Sequence, residues 1–248
     1  MAQQYDGKAE PSVRAFVTNA VNGVLTNIHF QPGDYVEKGQ LLLQLSSASY
    51  LHQVEAAEAL VQRRQVELDM AWANAERAAN LGERGAISEI SVTDAANALA
   101  LAEAALLEAV ANKSYALTGY NATQITAPIS GQIGASHYEV GTYLKTETGQ
   151  TLAELVQTDP MLISYNQPYE GLLALYDAAP GKISNYFDQI AVTVTLSSGT
   201  QLTEVGRIVS TNNVLDENGN VRIWAEVPNP DGVLVPGLPV SVSLQLEK

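Results

Sequence analysis

The sequence predicts a multidomain α+β protein. A small β-sandwich is divided in two along the chain, an antiparallel α-helical coiled-coil hairpin fills the interval, and a β domain with one short helix follows. Three observations carry this. A Gly-rich β motif occurs twice, far apart. Two long stretches without proline or glycine lie between the copies. The last third is β-prone and punctuated by Pro-Gly and Asn-Gly.

The repeat comes first. Gly23 is followed ten residues later by Gly33-Asp34-Tyr35-Val36, and then by Gly39-Gln40-Leu41-Leu42-Leu43-Gln44-Leu45. Gly131 is followed ten residues later by Gly141-Thr142-Tyr143-Leu144, and then by Gly149-Gln150-Thr151-Leu152-Ala153-Glu154-Leu155. Val24, Ile28 and Phe30 are β-prone and precede a turn at Pro32-Gly33-Asp34. Each copy yields a few short strands with one apolar face, too small to bury that face alone. Two copies face to face make a small sandwich.

Between the copies, residues 49–81 and 86–118 contain no proline and no glycine. Val54, Val61, Leu68 and Ala75 are seven apart, with Ala57, Ala71 and Ala78 three further on and Arg64 breaking the series. Val92, Leu99 and Leu106 repeat the spacing, with Ala95, Ala102 and Ala109 between them. Alanine against leucine or valine lets two antiparallel helices pack closely. Arms of this length reach roughly 50 Å. The bend is expected at Gly82-Glu83-Arg84-Gly85, with Ser49 as candidate cap of the first helix and Ser88 or Ser91 of the second.

After Thr158-Asp159-Pro160 the pattern turns to β. Residues 161–166 alternate weakly, 169–179 read as a short amphipathic helix stopped by Pro180-Gly181, and strands are expected at 190–196, 201–210 and 221–227. Asn218-Gly219 signals a hairpin, and Pro236-Gly237-Leu238-Pro239-Val240 leads into a final strand.

Composition narrows the function. The net charge is −14, which disfavours nucleic acid as a partner and offers no polybasic membrane patch. No cysteine is present, which excludes disulfides, thiol catalysis and Cys-ligated zinc. No unbroken apolar run approaches the length that spans a bilayer, and Met1-Ala2-Gln3-Gln4 does not read as a signal peptide. His29, His52 and His137 are scattered, away from metal-ligand spacing. Glu55, Glu58, Glu67 and Asp69 read as a solvated helix face able to pair with Arg63 and Arg64. No catalytic, cofactor-binding or metal-binding residue is assigned.

The run from Gly23 to Leu45 resembles half of a biotinyl/lipoyl domain. In carrier enzymes the halves are consecutive and a lysine in the joining turn holds the cofactor. Here that turn is expected near residues 46–50, which contain no lysine, and Lys38 sits in another turn. No cofactor is therefore expected. A lipoyl-like domain split by a helical insert is similar to the HlyD-like membrane fusion family. Arg77, Leu81 at i+4 and Ser88 at i+11 fit that family's hairpin-tip motif, which implies contact with a TolC-like outer-membrane channel. The residue order after Asp159-Pro160 resembles the family's β-barrel and fits the branch serving resistance-nodulation-division (RND) pumps.

The resemblance implies a lipoyl-like domain at 13–47 plus 120–157, a hairpin at 48–119 and a β-barrel at 158–248, with residues 1–12 as a candidate addition. The family's membrane-proximal domain is expected to be absent or truncated. The implied function is a non-enzymatic periplasmic adaptor, anchored to the inner membrane by a segment or lipid outside this chain. Its implied partners are an inner-membrane RND drug/proton antiporter, the TolC-like channel and further copies in a hexameric or trimer-of-dimers ring. An adaptor of an ABC-type exporter or type I secretion system stays open as an alternative, with a biotinyl/lipoyl carrier subunit more remote.

Overall fold

The structure is a computed structural model that describes residues 4–146, 149–171, 173, 187 and 190–246. The first repeat forms β2 (Gly23–Ile28), β3 (Tyr35–Val36) and β4 (Leu41–Leu45), after a long strand β1 (Gln4–Val17). Two helices follow, α1 (Ala48–Glu83) and α2 (Glu89–Asn121). The second repeat forms β5 (Gln124–Thr126), β6 (Gly131–Ile133), β7 (Tyr143–Leu144) and the start of β8 (Ala153–Pro168). The remaining strands are β9 (Ile190–Leu196), β10 (Gln201–Thr211), β11 (Asn220–Val227) and β12 (Pro239–Leu246).

The two repeats interlock. One sheet runs β5-β4-β2-β7, so the two strands of the first copy lie between two strands of the second. In the opposing sheet β3 pairs β6, and β6 pairs β8. Equivalent positions of the repeats enter one core: Val36 with Leu144, Leu42 with Leu152, and Leu45 with Leu155 are all buried. Leu43 and Leu152, from opposite sides of the hairpin, share that cluster. Tyr35 and Tyr143, one residue before the buried aliphatics, face out, as the two-residue period of a strand requires. The insert leaves from the end of β4 and returns at the start of β5, which pair with each other. A long helical arm thus emerges without breaking the sandwich.

The second core lies in a six-stranded barrel. The order β1-β12-β9-β10-β11-β8 closes by a β8–β1 pairing, which removes both exposed edges. Strands β1 and β8 run through both cores. Val13–Val17 pair with 153–157 in the sandwich, and Gly7–Pro11 pair with 161–165 in the barrel. A register shift between Pro11 and Val13 marks the crossing, as a bulge re-aims a strand between two packing surfaces. The N-terminal residues Gln4–Lys8 also pair with β12. The strand expected at 161–166 is therefore the second half of a longer one. The Asn218-Gly219 signal appears as a turn closed by Gly219 N–H donating to the Asp216 carbonyl, at the end of the loop joining β10 to β11. The expected helix at 169–179 starts helically at 169–171, and most of it, with Pro180-Gly181, lies outside the described residues.

Tyr165 is the largest side chain fully buried in the barrel, and its ring stacks on Tyr5 at 5.7 Å. Its hydroxyl has no hydrogen-bond partner among the described residues. Burial, and then the neighbouring Tyr5 phenol, push its pKa well above the usual tyrosine range. A raised pKa means the fold binds the neutral phenol, so this contribution is whole below about pH 10 and is lost as pH rises beyond it. Tyr165→Phe removes a buried group without a partner and should leave neutral-pH melting unchanged or raised. It should also flatten the loss of stability above about pH 10. Thermal melts of both proteins from pH 7 to 11 check this.

Candidate functional site at the hairpin tip

The helices form because residues 48–83 and 89–121 hold good helix formers, chiefly alanine and leucine, with few breakers. They are 36 and 33 residues long, or about 54 and 50 Å. Every seam position expected from the spacing, Arg64 included, is buried or half-buried. Arg64 sits in the seam and pairs with Glu67 at 2.6 Å. Glu58 crosses to Lys113 at 2.9 Å, Glu55 takes His52, and Asp69 accepts from Gln65. Of the expected partners of the two arginines, only Glu67 is used, at 3.7 Å from Arg63.

The outward faces are unusually apolar. The most apolar 18-residue stretch of α2 reaches a mean hydropathy of 1.4, long and apolar enough to cross a membrane by length and composition. Scattered Glu103 and Glu108 interrupt any unbroken run, which is why the sequence does not read as a span. Leu101 and Leu107 are each 72% exposed. Apolar surface left uncovered on this scale marks a surface made for packing against something else.

Helix α1 ends in a Schellman motif. Ala86 N–H donates to the Leu81 carbonyl and Gly85 N–H to the Gly82 carbonyl, each at 2.9 Å. Gly85 takes the left-handed conformation this needs, with φ +67°. Helix α2 starts on Ser88, whose Oγ accepts the Ser91 N–H at 3.2 Å. Of the two candidate caps, Ser88 is the one used. Ser49 is not a cap: α1 begins at Ala48, one residue before it, and Ser47 at the capping position makes no side-chain bond. The chain passes from β4 into α1 there, and the helix is anchored by packing instead. Gly82 allows the arms to close at the tip, since a Cβ there would lie 2.6 Å from a Val92 methyl.

Arg77, Leu81 and Ser88 all lie toward this end of the hairpin. Arg77 is exposed and donates from Nη2 to Asn74 Oδ1 at 3.1 Å. That bond pre-positions the guanidinium and leaves its other donors to solvent. Leu81 is 38% exposed although it also supplies the third-last carbonyl of α1. Ser88 is exposed, and its hydroxyl also lies 2.8 Å from that of Ser91. The result is a small surface with a planar cation, an apolar side chain and a hydroxyl, none of them needed by either core. Asn74 holds Arg77 and was missed by the sequence reading, whereas Gly82 already stood in the expected bend. The signal for Asn74 is its i−3 spacing from Arg77.

No group of His, Asp and Glu among the described residues is arranged to hold a metal. Lys38 lies in the turn between β3 and β4, its backbone N–H donating to Ser130 Oγ at 2.9 Å, and not where the two half-motifs join.

Residues 14–158 match the family description "RND MFP, barrel-sandwich hybrid domain", and 160–248 match "RND MFPs, beta-barrel domain". The chain is 34% identical over 238 residues to the membrane fusion protein MtrC of Neisseria gonorrhoeae, covering 95% of this chain and 58% of that protein. It is 32% identical over 234 residues to the multidrug resistance protein MexA of Pseudomonas aeruginosa, covering 93% and 57%. It thus spans somewhat over half the length of these relatives. Among solved structures, the membrane fusion protein Spr0693 of Streptococcus pneumoniae R6 superposes with a TM-score of 0.71 at 18% identity, covering 99% of this chain and 100% of that one. MacA of Actinobacillus actinomycetemcomitans gives 0.71 at 20% identity, covering 98% and 78%. These two likenesses concern the fold. With the two family descriptions covering residues 14–158 and 160–248, and with a split sandwich carrying an inserted hairpin ahead of a β-barrel, the chain belongs to the RND membrane fusion protein family.

Proposed function

We propose that this protein is a non-enzymatic periplasmic adaptor that links an inner-membrane RND drug/proton antiporter to a TolC-like outer-membrane channel for efflux. The observation that carries it is the exposed tip of Arg77, Leu81 and Ser88, held about 50 Å from the sandwich on a chain of the RND membrane fusion family. Residues 13–47 with 120–157 act as the lipoyl-like body, 48–119 as the reaching arm and 158–248 as the barrel. The protein works in the periplasm, anchored to the inner membrane. Several copies act together as a hexameric ring or a trimer of dimers, because one tip offers only a small area and multivalency supplies the rest. The match of both domains to RND descriptions favours this over an adaptor for an ABC-type exporter.

Crosslinking in cells followed by purification from membranes tests the proposal. An RND transporter and an outer-membrane channel are expected in the same crosslinked complex. Recovery with an ABC-type transporter and no RND transporter would replace the reading with its alternative.

A further inference from the structure

Residues 228–238 join β11 to β12 and contain Asn229-Pro230-Asp231-Gly232. Asparagine first, proline second and glycine fourth suit a type I turn, and Gly232 N–H closes it on the Asn229 carbonyl at 3.1 Å. The turn holds Asn229 in the interior, 6% exposed. Its Oδ1 accepts the Leu234 N–H at 2.9 Å. Its Nδ2 donates to the carbonyls of Leu234 and Thr158, each at 2.9 Å, which uses both amide hydrogens. Its backbone N–H donates to Asp159 Oδ1 at 2.8 Å. Further along the loop, Gly237 N–H donates to the Ala9 carbonyl, and Ala9 N–H to the Leu238 carbonyl. One loop of the barrel therefore grips β8 and β1, the two strands that run through both cores.

That grip falls where the ladder between the strands is interrupted. Between the Pro11–Met161 and Val13–Gln157 pairs, Ser12 stands against residues 158–160, so the strands are out of register there. A two-stranded ribbon with a gap in its ladder bends readily. Packing leaves room for the bend. A cleft of about 160 Å³ is lined by Tyr35 and Gln132 of the sandwich and by Leu234 and Val235 of the loop. Another of about 440 Å³ lies beside Pro236, against Lys8 and Arg14. Tyr35 and Val235 are 69% and 57% exposed. We propose that Asn229 is a positioning residue, whose bonds to Thr158 and Asp159 set the angle between barrel and sandwich and so the direction in which the hairpin points. The hairpin reaches about 50 Å, so a swing of about 10° at the junction would carry its tip by roughly 9 Å. The aiming role rests on the adaptor reading, whereas the clamp itself does not.

Distance measurement by double electron–electron resonance on the purified chain tests the clamp. The chain has no cysteine, so nitroxide labels go to Lys38→Cys in the sandwich and Glu204→Cys in the barrel, both exposed positions. The expected distribution is narrow with Asn229 present and roughly twofold broader with Asn229→Ala. Asn229→Asp keeps the size and loses both side-chain donors, and should broaden it equally. A second pair, Lys38→Cys with Gln62→Cys in α1, should stay unchanged by either. Gly206→Ala controls for lost stability: its Cβ would lie 2.6 Å from a Val227 methyl inside the barrel, so melting should fall while the width holds. Asp159→Ala removes one bond from an exposed residue. It should broaden the distribution less, and it decides the matter should the Asn229 variants not fold. An unchanged width in Asn229→Ala or Asp159→Ala, or equal broadening by Gly206→Ala or in the second pair, would overturn the proposal. No transporter or channel enters this measurement, so its outcome is separate from the crosslinking that tests the adaptor role.

Discussion

Arg77→Asp is expected to abolish drug resistance in cells that depend on this protein, at unchanged protein level. The tip of a long hairpin contributes little to either core, so loss of function without loss of fold isolates its chemistry. Arg77 is exposed and its one hydrogen bond is to Asn74. Reversal there should cost well under 1 kcal/mol of stability, as surface changes away from special features do. For docking the change is severe. A planar donor fork able to grip carbonyls or carboxylates becomes an acceptor that repels them. In the proposed assembly, with several copies acting on one channel, even a modest loss per tip multiplies. Arg77→Lys keeps the charge and loses the fork, so an intermediate phenotype is expected. Arg64→Asp, farther down the arm, should matter less to docking itself. It is a poor silent control, because Arg64 is half-buried in the seam beside Glu67 at 2.6 Å, and an aspartate would face that glutamate unpaired. Susceptibility assays, channel crosslinking and thermal melting of each variant decide the matter. Wild-type resistance and crosslinking with Arg77→Asp would return the three residues to surface charge, seam leucine and helix cap.

Gly131→Ala is expected to be among the most destabilising small substitutions in the molecule. Its φ of +159° stands at the edge of the region that residues with a side chain rarely adopt, and contact adds to that cost. A Cβ at Gly131 would lie 2.4 Å from the Val156 carbonyl oxygen and 2.9 Å from its carbon. Both are backbone atoms of β8, which pairs with β6 and β1 at this point. Relief requires one strand to move away from another, and overpacking of that kind costs about 2–3 kcal/mol. The melting temperature should fall by roughly 5 °C or more. Gly33→Ala makes the comparison. Gly33 has φ +94° and nothing within 4 Å of a new Cβ, so only the left-handed backbone penalty of about 1–2 kcal/mol applies. Melting both variants tests the order. A Gly131→Ala protein as stable as Gly33→Ala would show that β6 and β8 are not locked together as described.

Much of this was legible from local spacing. Strand β9 falls where the sequence places it, at Ile190–Leu196, because a β-branched run bounded by turn residues has few other outcomes. The hairpin seam was legible because heptad spacing puts Val54, Val61 and Leu68 on one face whatever they meet. Capping was less so: Ser49 and Ser88 look alike in sequence, yet only the chain leaving β4 determines where α1 starts. The tip triad could be read as spacing, but the bond from Asn74 that holds Arg77 needs side-chain geometry.

By itself the sequence determined the parts: two Gly-rich half-motifs, two long arms with an alanine seam, and a set of alternating strands. These follow from periodicity and turn chemistry, which act over a few residues. Tertiary structure alone decided how the parts join. Strand β8 pairs with β1 over Met161–Tyr165 and again over Ala153–Gln157, stepping across a register shift to serve both cores. Gly131 must be small because Val156 passes behind it, and Tyr165 is buried without a hydroxyl partner among the described residues because the barrel closes around it. Such constraints come from residues far apart in the chain, and no local pattern encodes which backbone will arrive beside them.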